Sequence, residues 1–287
     1  MFLQLFSQYL LDEGITSPEQ INAIKDAQKG TRVKLGLIAV SEKMITEKQA
    51  DEINRKQALM DKRFGDIAVE LGYLTDDQVG KLLKLQGNPY MQFAQAASDN
   101  GILSLTEIEK HFQGFLEKNG FEESLADAIK ADDLDAIIPL YIQDADSSIQ
   151  DLISVCLRTI NRLISTDLCI GKGAFASTYD YDFMASQALT GMQNVTLGFA
   201  GGKGGVLQIA STYAQEEFDT IDLDSLDSAG EFINIVNGLY ATALSQKEIQ
   251  VDLVAPNYEE NAGSLQEGKI YVVPVAVNQE SFEIVVW

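Results

Sequence analysis

A hydroxyl residue followed three positions later by Gln or Glu recurs at a fixed interval through the first part of the chain. Ser17, Thr46, Thr75 and Ser104 are 29 residues apart, with Gln20, Gln49, Gln78 and Glu107 in the same register. Each pair is a capping box, in which the hydroxyl and the longer side chain satisfy orphan amides at a helix start. Gly14, Lys43, Gly72 and Gly101 precede the boxes. Glycine there suits the left-handed stop of a preceding helix, a rule that Lys43 breaks. Ile45, Leu74 and Leu103 stand before the last three boxes, and Ala50, Val79 and Ile108 stand four residues into the helices, the makings of a hydrophobic staple. The pattern predicts helix, tight turn, capped helix, four times over, in units of roughly 5–28, 34–57, 63–86 and 92–115. An all-α helical repeat domain over residues 1–118 is the expectation. His111 falls in the slot held by Ile24, Ile53 and Leu82, which predicts a partly buried structural side chain.

An acidic helical connector is expected over 119–145, and the pattern changes at about Asp146. From Ile149 to Ile164, Leu152, Ile153, Cys156, Leu157 and Ile160 recur at helical spacing. Strand-like runs follow at Asn194–Ala200, Gly205–Ala210, Glu248–Val254, Ile270–Val277 and Phe282–Trp287. Gly201-Gly202-Lys203-Gly204-Gly205, between the first two runs, lacks the Gly-Lys-Ser/Thr of a phosphate-binding loop and reads as a hairpin turn. Asp222, Asp224 and Asp227 hint at a calcium loop, but its glycine is missing and Leu226 takes a ligand position. Asp227 or Ser228 is expected to cap a helix reaching about Leu244, with Phe232, Ile235, Val236, Leu239, Tyr240 and Ala243 as its apolar face. Glu231 and Asn234, three apart, are expected to lie side by side and to be exposed together. A mid-helix Asn costs helix propensity. The pair is either a solvated stripe or a chemical site. Together these elements predict an α+β domain over 146–287.

Composition narrows the chemistry. The chain has 287 residues and a net charge of −22. Residues 1–120 carry 14 Lys+Arg against 17 Asp+Glu, so the remaining residues hold 7 against 26, a net of −19. That acidity repels phosphate backbones and anionic lipid, so nucleic acid and membrane insertion are not expected. No apolar run is long enough for a membrane span, and the start lacks the basic residues of a signal peptide. The expected location is cytoplasmic. Two cysteines provide no disulfide framework, one histidine excludes a multi-histidine metal site, and the structural slot expected for that histidine argues against a Ser-His-Asp triad.

Two resemblances sharpen these readings. Lys34-Leu35-Gly36 through Gln57 and Arg63-Phe64-Gly65 through Gln86 are separated by five residues, Ala58 to Lys62. This resembles the MshEN family, the N-terminal domain of type II secretion and type IV pilus ATPases, whose tandem motifs bind cyclic di-GMP. The resemblance implies a ligand site with one half from Arg63, Phe64, Gly65, Leu74 and Gln86. The other half would come from Lys34, Leu35, Gly36, Ile45 and Gln57. Lys34 replaces an arginine of that pattern, Lys43 replaces a glycine, and Phe64, Ala39 and Ala68 replace aliphatics. Without a ligand, the repeats would only pack helices or dock a partner.

Asp227-x-x-x-Glu231-x-x-Asn234, with Pro256 about twenty residues further on, resembles the signature of the CheC, CheX and FliY chemotaxis phosphatases, and CheX most of all. Ser154, Arg158 and Asn161 hold the corresponding places on the earlier helix, where Arg158 reverses the charge. The resemblance implies one active site per chain and a CheY-like response regulator as substrate. Glu231 would pair with a lysine of the regulator, and Asn234 would position the attacking water. No cofactor of its own is implied, the regulator holding its own Mg2+, and CheX-like domains tend to pair as dimers. The apolar run Glu283-Ile-Val-Val-Trp287 also asks for cover, so a homodimer is expected. The alternative is a non-catalytic cyclic di-GMP receptor or adaptor that docks receivers.

Overall fold

The computed structural model describes residues 1–28, 32–60, 62–266 and 268–287. They form two compact units, Phe2–Asp133 and Leu134–Trp287.

The first unit is all helix. It contains α1 (Phe2–Asp12), α2 (Pro18–Gln28), α3 (Leu35–Ser41), α4 (Glu47–Gln57), α5 (Phe64–Glu70), α6 (Asp76–Lys84), α7 (Pro89–Asp99), α8 (Leu105–Asn119) and α9 (Ala126–Lys130). The turn into each even-numbered helix is built alike. Thr46, Thr75 and Ser104 each form a reciprocal box with the residue three on, and Ser17 does the same with Gln20. Gly14, Lys43, Gly72 and Gly101 have φ of 65°, 55°, 70° and 65°. Lys43 therefore adopts the left-handed conformation that glycine adopts elsewhere, at the steric cost of a Cβ. After each of them, the next amide reaches back five residues, as in Ile15 to Leu10 and Met44 to Ala39, which closes a Schellman turn.

An aromatic cluster fills the core of this unit. Phe6 packs edge-on against Phe93, Phe112 and Phe115, with centroids 5.3–5.9 Å apart. The Tyr90 hydroxyl donates to Glu109 (2.6 Å), and Lys130 Nζ sits 4.5 Å from the Tyr90 ring centre while bridging to Glu109. Burial and that carboxylate push the Tyr90 phenol well above its ordinary pKa. His111 is half-buried.

The second unit contains α10 (Leu134–Tyr141), α11 (Ser147–Leu163), β1 (Leu168–Ile170), β2 (Ala174–Ala176), β3 (Tyr179–Tyr181), β4 (Met184–Gly191) and β5 (Val195–Ala200). The chain continues through α12 (Lys203–Ala214), α13 (Leu223–Gln246), β6 (Val251–Leu253), β7 (Asn257–Glu259), β8 (Gly263–Leu265), β9 (Ile270–Val277) and β10 (Glu280–Val286). The antiparallel main sheet runs β1-β9-β10-β5-β4-β6, with β2 also on β9 and β7 also on β4. Helices α12 and α13 pack on the sheet and on each other, and α11 packs on α13. No helix among the described residues is long and apolar enough to cross a membrane.

Three expectations from the sequence are corrected. Gly205–Ala210 lies in the middle of α12 and is not a strand. Its buried side chains, Val206, Ile209 and Ala210, have helical spacing, which so short and mostly apolar a run cannot declare. Gly201-Gly202 is accordingly a strand-to-helix turn rather than part of a hairpin, and Lys203–Gly205 open the helix. The glycines of this segment make room for the β9–β10 turn: a Cβ on Gly202 would collide with the Ser281 carbonyl oxygen, and one on Gly204 with the Glu280 carboxylate. That carboxylate at the first turn of α12 occupies the place where helix amides attract an anion.

The helix expected to start at Asp227 or Ser228 begins five residues earlier. Asp222 accepts from the Ser225 amide (2.9 Å) while Ser225 returns a bond to Asp222, and both capping candidates lie inside the helix. Ser228 instead donates to the Ala210 carbonyl (2.9 Å), tying α13 to α12.

The Glu283–Trp287 run does not need a second copy for cover. It belongs to β10, which lies between β9 and β5, and Trp287 packs on Tyr179, Met184, Ala200, Ile270 and Val285. One of the two reasons for expecting a homodimer is thereby removed.

Gly202 has φ −65°, which alanine tolerates, so only space forbids a side chain there. Gly202→Ala should destabilise the second unit by about 1–3 kcal/mol through overpacking. Trp287 is the only tryptophan, so its fluorescence during urea unfolding reports this unit alone. An unshifted midpoint would show that the β9–β10 turn does not press on Gly202.

Candidate functional site

The surface edge of α13 next to β6 and β7 collects the predicted pair. Asp227 and Glu231 are exposed, Asn234 is half-buried, and Gly230 and Asn237 are buried behind them. Positions three and four apart fall on one face, so this single helix supplies both an outer and an inner row. The structure thus brings Glu231 and Asn234 together. No cation among the described residues pairs with Glu231.

Asn234 is held from beneath by Gln187 of β4, which is 2% exposed. Gln187 Nε2 donates to Asn234 Oδ1 (2.8 Å) and to the Val254 carbonyl (2.9 Å). Asn237 Nδ2 donates to Gln187 Oε1 (3.0 Å) and to the Gln187 carbonyl (3.3 Å). These bonds join the sheet, the helix and the segment leading to Pro256. Paired in this way, buried amides avoid the penalty of unmet hydrogen-bonding groups. Within this cluster Asn237 Oδ1 is buried without a partner.

Glu231 has a different neighbour. Tyr258 of β7 lies across Gly230, where an added Cβ would collide with its ring. Burial, the hydrogen bond to Asp227, and the charges of Asp227 and Glu231 push the Tyr258 phenol well above its ordinary pKa.

On α11, Arg158 pairs with Asp135 of α10, while Ser154 and Asn161 are half-buried. The Asp222 carboxylate of the calcium-like triplet is spent on capping α13.

In the helical unit the two tandem motifs face each other. Lys34 and Arg63 are the N-caps of α3 and α5. A Cβ on Gly36 would stand 2.9 Å from the Phe64 ring, and one on Gly65 would stand 2.8 Å from Val79 and 3.7 Å from Leu35. The closing glutamines act reciprocally. Gln57 donates to the carbonyl of Lys62, just before Arg63 (3.2 Å), and Gln86 donates to that of Val33, just before Lys34 (2.7 Å). Gly36, Ile45, Phe64, Gly65 and Leu74 are buried, Leu35 is half-buried, and Lys34 and Arg63 are exposed. Lys34 pairs with Asp99 at 3.0 Å, whereas Arg63 has no partner among the described residues. Asp61, in the spacer, lies outside the described residues.

No protein-family model matches the chain. No curated protein matches it in sequence either. Solved structures of chemotaxis proteins resemble about half of it. A CheC-like superfamily protein from Shewanella sp. PV-4 is 19% identical, with 50% of this chain and 97% of that one covered and a TM-score of 0.43. The chemotaxis protein CheX from Desulfovibrio desulfuricans is 14% identical, with 50% and 99% covered and a TM-score of 0.42. A complex of CheX, CheY, BeF3 and Mg2+ from Borrelia burgdorferi gives 17% identity, 49% and 96% covered, and a TM-score of 0.40.

Gln187 and Tyr258 were not singled out from sequence, and Asn237 was noticed only beside Gly238. One signal was present: Gln187 is an amide among the apolar Met184, Ala185, Ala188 and Leu189, a stretch that the hydrophobic pattern did not mark as the strand it forms.

Tyr258→Phe should cost about 1 kcal/mol near pH 8 by removing the bond to Asp227. The tyrosine's folded pKa lies above its ordinary 10.0, so its stabilisation is complete below pH 10 and is lost as pH rises towards the folded value. The gap between wild type and variant should therefore narrow above pH 10 in urea titrations followed by Trp287. A gap that does not change with pH would show that Asp227 and Tyr258 are uncoupled.

Proposed function

We propose that the protein removes the phosphoryl group from an aspartyl phosphate on a CheY-like receiver domain. The observation that carries this reading is the α13 edge itself. It presents an unpaired carboxylate, Glu231, beside an amide, Asn234, whose carbonyl oxygen is already engaged inside the fold.

The chemistry asks little of the catalyst. Water attacks phosphorus, the bond from phosphorus to the aspartyl oxygen breaks, and inorganic phosphate and a free carboxylate result. The receiver supplies the phosphorylated aspartate and its own metal ion. This chain supplies orientation: an amide fixed to a helix backbone holds the water in line, converting a random encounter into a positioned one. Glu231, having no cation of its own, is available to a lysine on the receiver. Leu253 and Val254 are exposed on the segment that Gln187 pins beside Asn234, giving the partner an apolar contact next to the polar pair.

Asn234→Ala should abolish acceleration of receiver dephosphorylation without unfolding the protein, since the position is half-exposed. Glu231→Lys should weaken receiver binding by opposing like charges. Phosphoryl lifetimes measured on several receivers test both. Unchanged lifetimes with wild-type protein would replace catalysis with the adaptor reading, in which receivers bind without hydrolysis.

A second reading is cyclic di-GMP binding by the helical unit, to which the reciprocal Gln57 and Gln86 bonds lend support by tying the end of each motif to the residue before the other. Arg63, unpaired and planar, is its principal donor, and Lys34 is tied to Asp99. Loss of one charged bidentate contact costs about 1.5–3 kcal/mol, roughly ten- to a hundredfold in affinity. In calorimetry Arg63→Ala should remove most binding and Lys34→Arg should strengthen it. No heat from wild type or Lys34→Arg would leave the motifs as packing or partner surface.

A further inference from the structure

Three primary amides meet between β4 and α13, and two groups that can only accept fix their order. The Val254 carbonyl takes a hydrogen from Gln187 and therefore faces Nε2, not Oε1, since oxygen against oxygen at 2.9 Å would be repulsive. The second hydrogen of the same nitrogen points to Asn234, which must answer with its oxygen, at 2.8 Å. From the other side, the Gln187 carbonyl takes a hydrogen from Asn237 Nδ2, whose second hydrogen goes to Gln187 Oε1 (3.0 Å). Reversing any one amide opposes like groups at the next. The chain Asn237, Gln187, Asn234 therefore has one order, and it ends with Asn234 Nδ2 free of protein partners among the described residues.

We infer that Gln187, backed by Asn237, is a positioning residue that locks the Asn234 amide with its oxygen inward and its NH2 group turned to the reacting partner. The inference rests on the phosphatase reading and adds which half of the amide works: Asn234 holds the water by donating to its oxygen, leaving a lone pair for phosphorus. A free asparagine would present oxygen and nitrogen about equally. Here the flip is suppressed before the partner arrives, so no orientation has to be chosen at the moment of reaction.

The test uses the full chain labelled with 15N. Side-chain amide signals are assigned by their loss in Asn234→Asp and Gln187→Met. The Gln187 protons should be protected from exchange with water and the Asn234 protons should exchange freely; the reverse pattern overturns the order. On a phosphorylated receiver, Asn234→Asp keeps the inward acceptor and loses the outward donor, so kcat should fall as far as in Asn234→Ala. Gln187→Met should lower kcat on the order of ten- to a hundredfold, with KM for the receiver within about twofold, as misorientation without lost docking predicts. A merely structural Gln187 would change the melting temperature and leave that split absent. Should Gln187→Met not fold, Asn234→Asp decides alone, and kcat near wild type overturns the proposal. Wild-type protein that accelerates no receiver would overturn the phosphatase reading and the positioning role with it. The exchange pattern would distinguish that failure from a wrong amide order.

Discussion

A buried primary amide must find partners for two hydrogens and an oxygen, or cost more than it contributes. Gln187 meets that demand with a helix on one side, a loop carbonyl on the other, and a second helical amide behind. The rotation of α13 about its axis follows from it. Turning the helix by one residue would swing Asn234 and Asn237 away by about 100° and strand Gln187 in an apolar layer. Because Glu231 shares that helix, its exposure is set by a bond it does not make. Tyr258 closes the other side by lying across Gly230, where only hydrogen fits.

The helical unit takes its helix boundaries from local chemistry and its core from contacts far apart in sequence. Four left-handed turns and four capping boxes specify where helices stop and restart, and an aromatic core joins them. Lys43 keeps the geometry that glycine makes easy, so the turn is imposed by the boxes and apolar contacts around it as well as by the residue at its centre. Gly36 and Gly65 admit the Phe64 ring on one side and Val79 with Leu35 on the other. Their small size is already used by the protein's own packing.

What could be read from the sequence divides along the same line. The boxes at Ser17, Thr46, Thr75 and Ser104 were visible because cap and partner are three residues apart, and so was the Glu231–Asn234 spacing. Gly205–Ala210 was misread because a short, mostly apolar run beginning at glycine fits a strand as well as a helix, and the contact that crowds its start comes from Ser281, more than seventy residues away. Asp222 lost to Asp227 as cap because polar residues continue into the first turns of α13. Gln187 lies 47 residues before the asparagine it holds, a pairing no local pattern encodes.

Strand β10 follows every other strand in chain order yet sits between β9 and β5. Until it arrives, β4 and β5 on one side and β1 and β9 on the other are two separate ribbons with open edges facing each other. A nascent chain therefore has all of its helical unit while the sheet still waits for its keystone. During that waiting interval two unpaired strand edges stand open, the arrangement most exposed to pairing with the wrong strand.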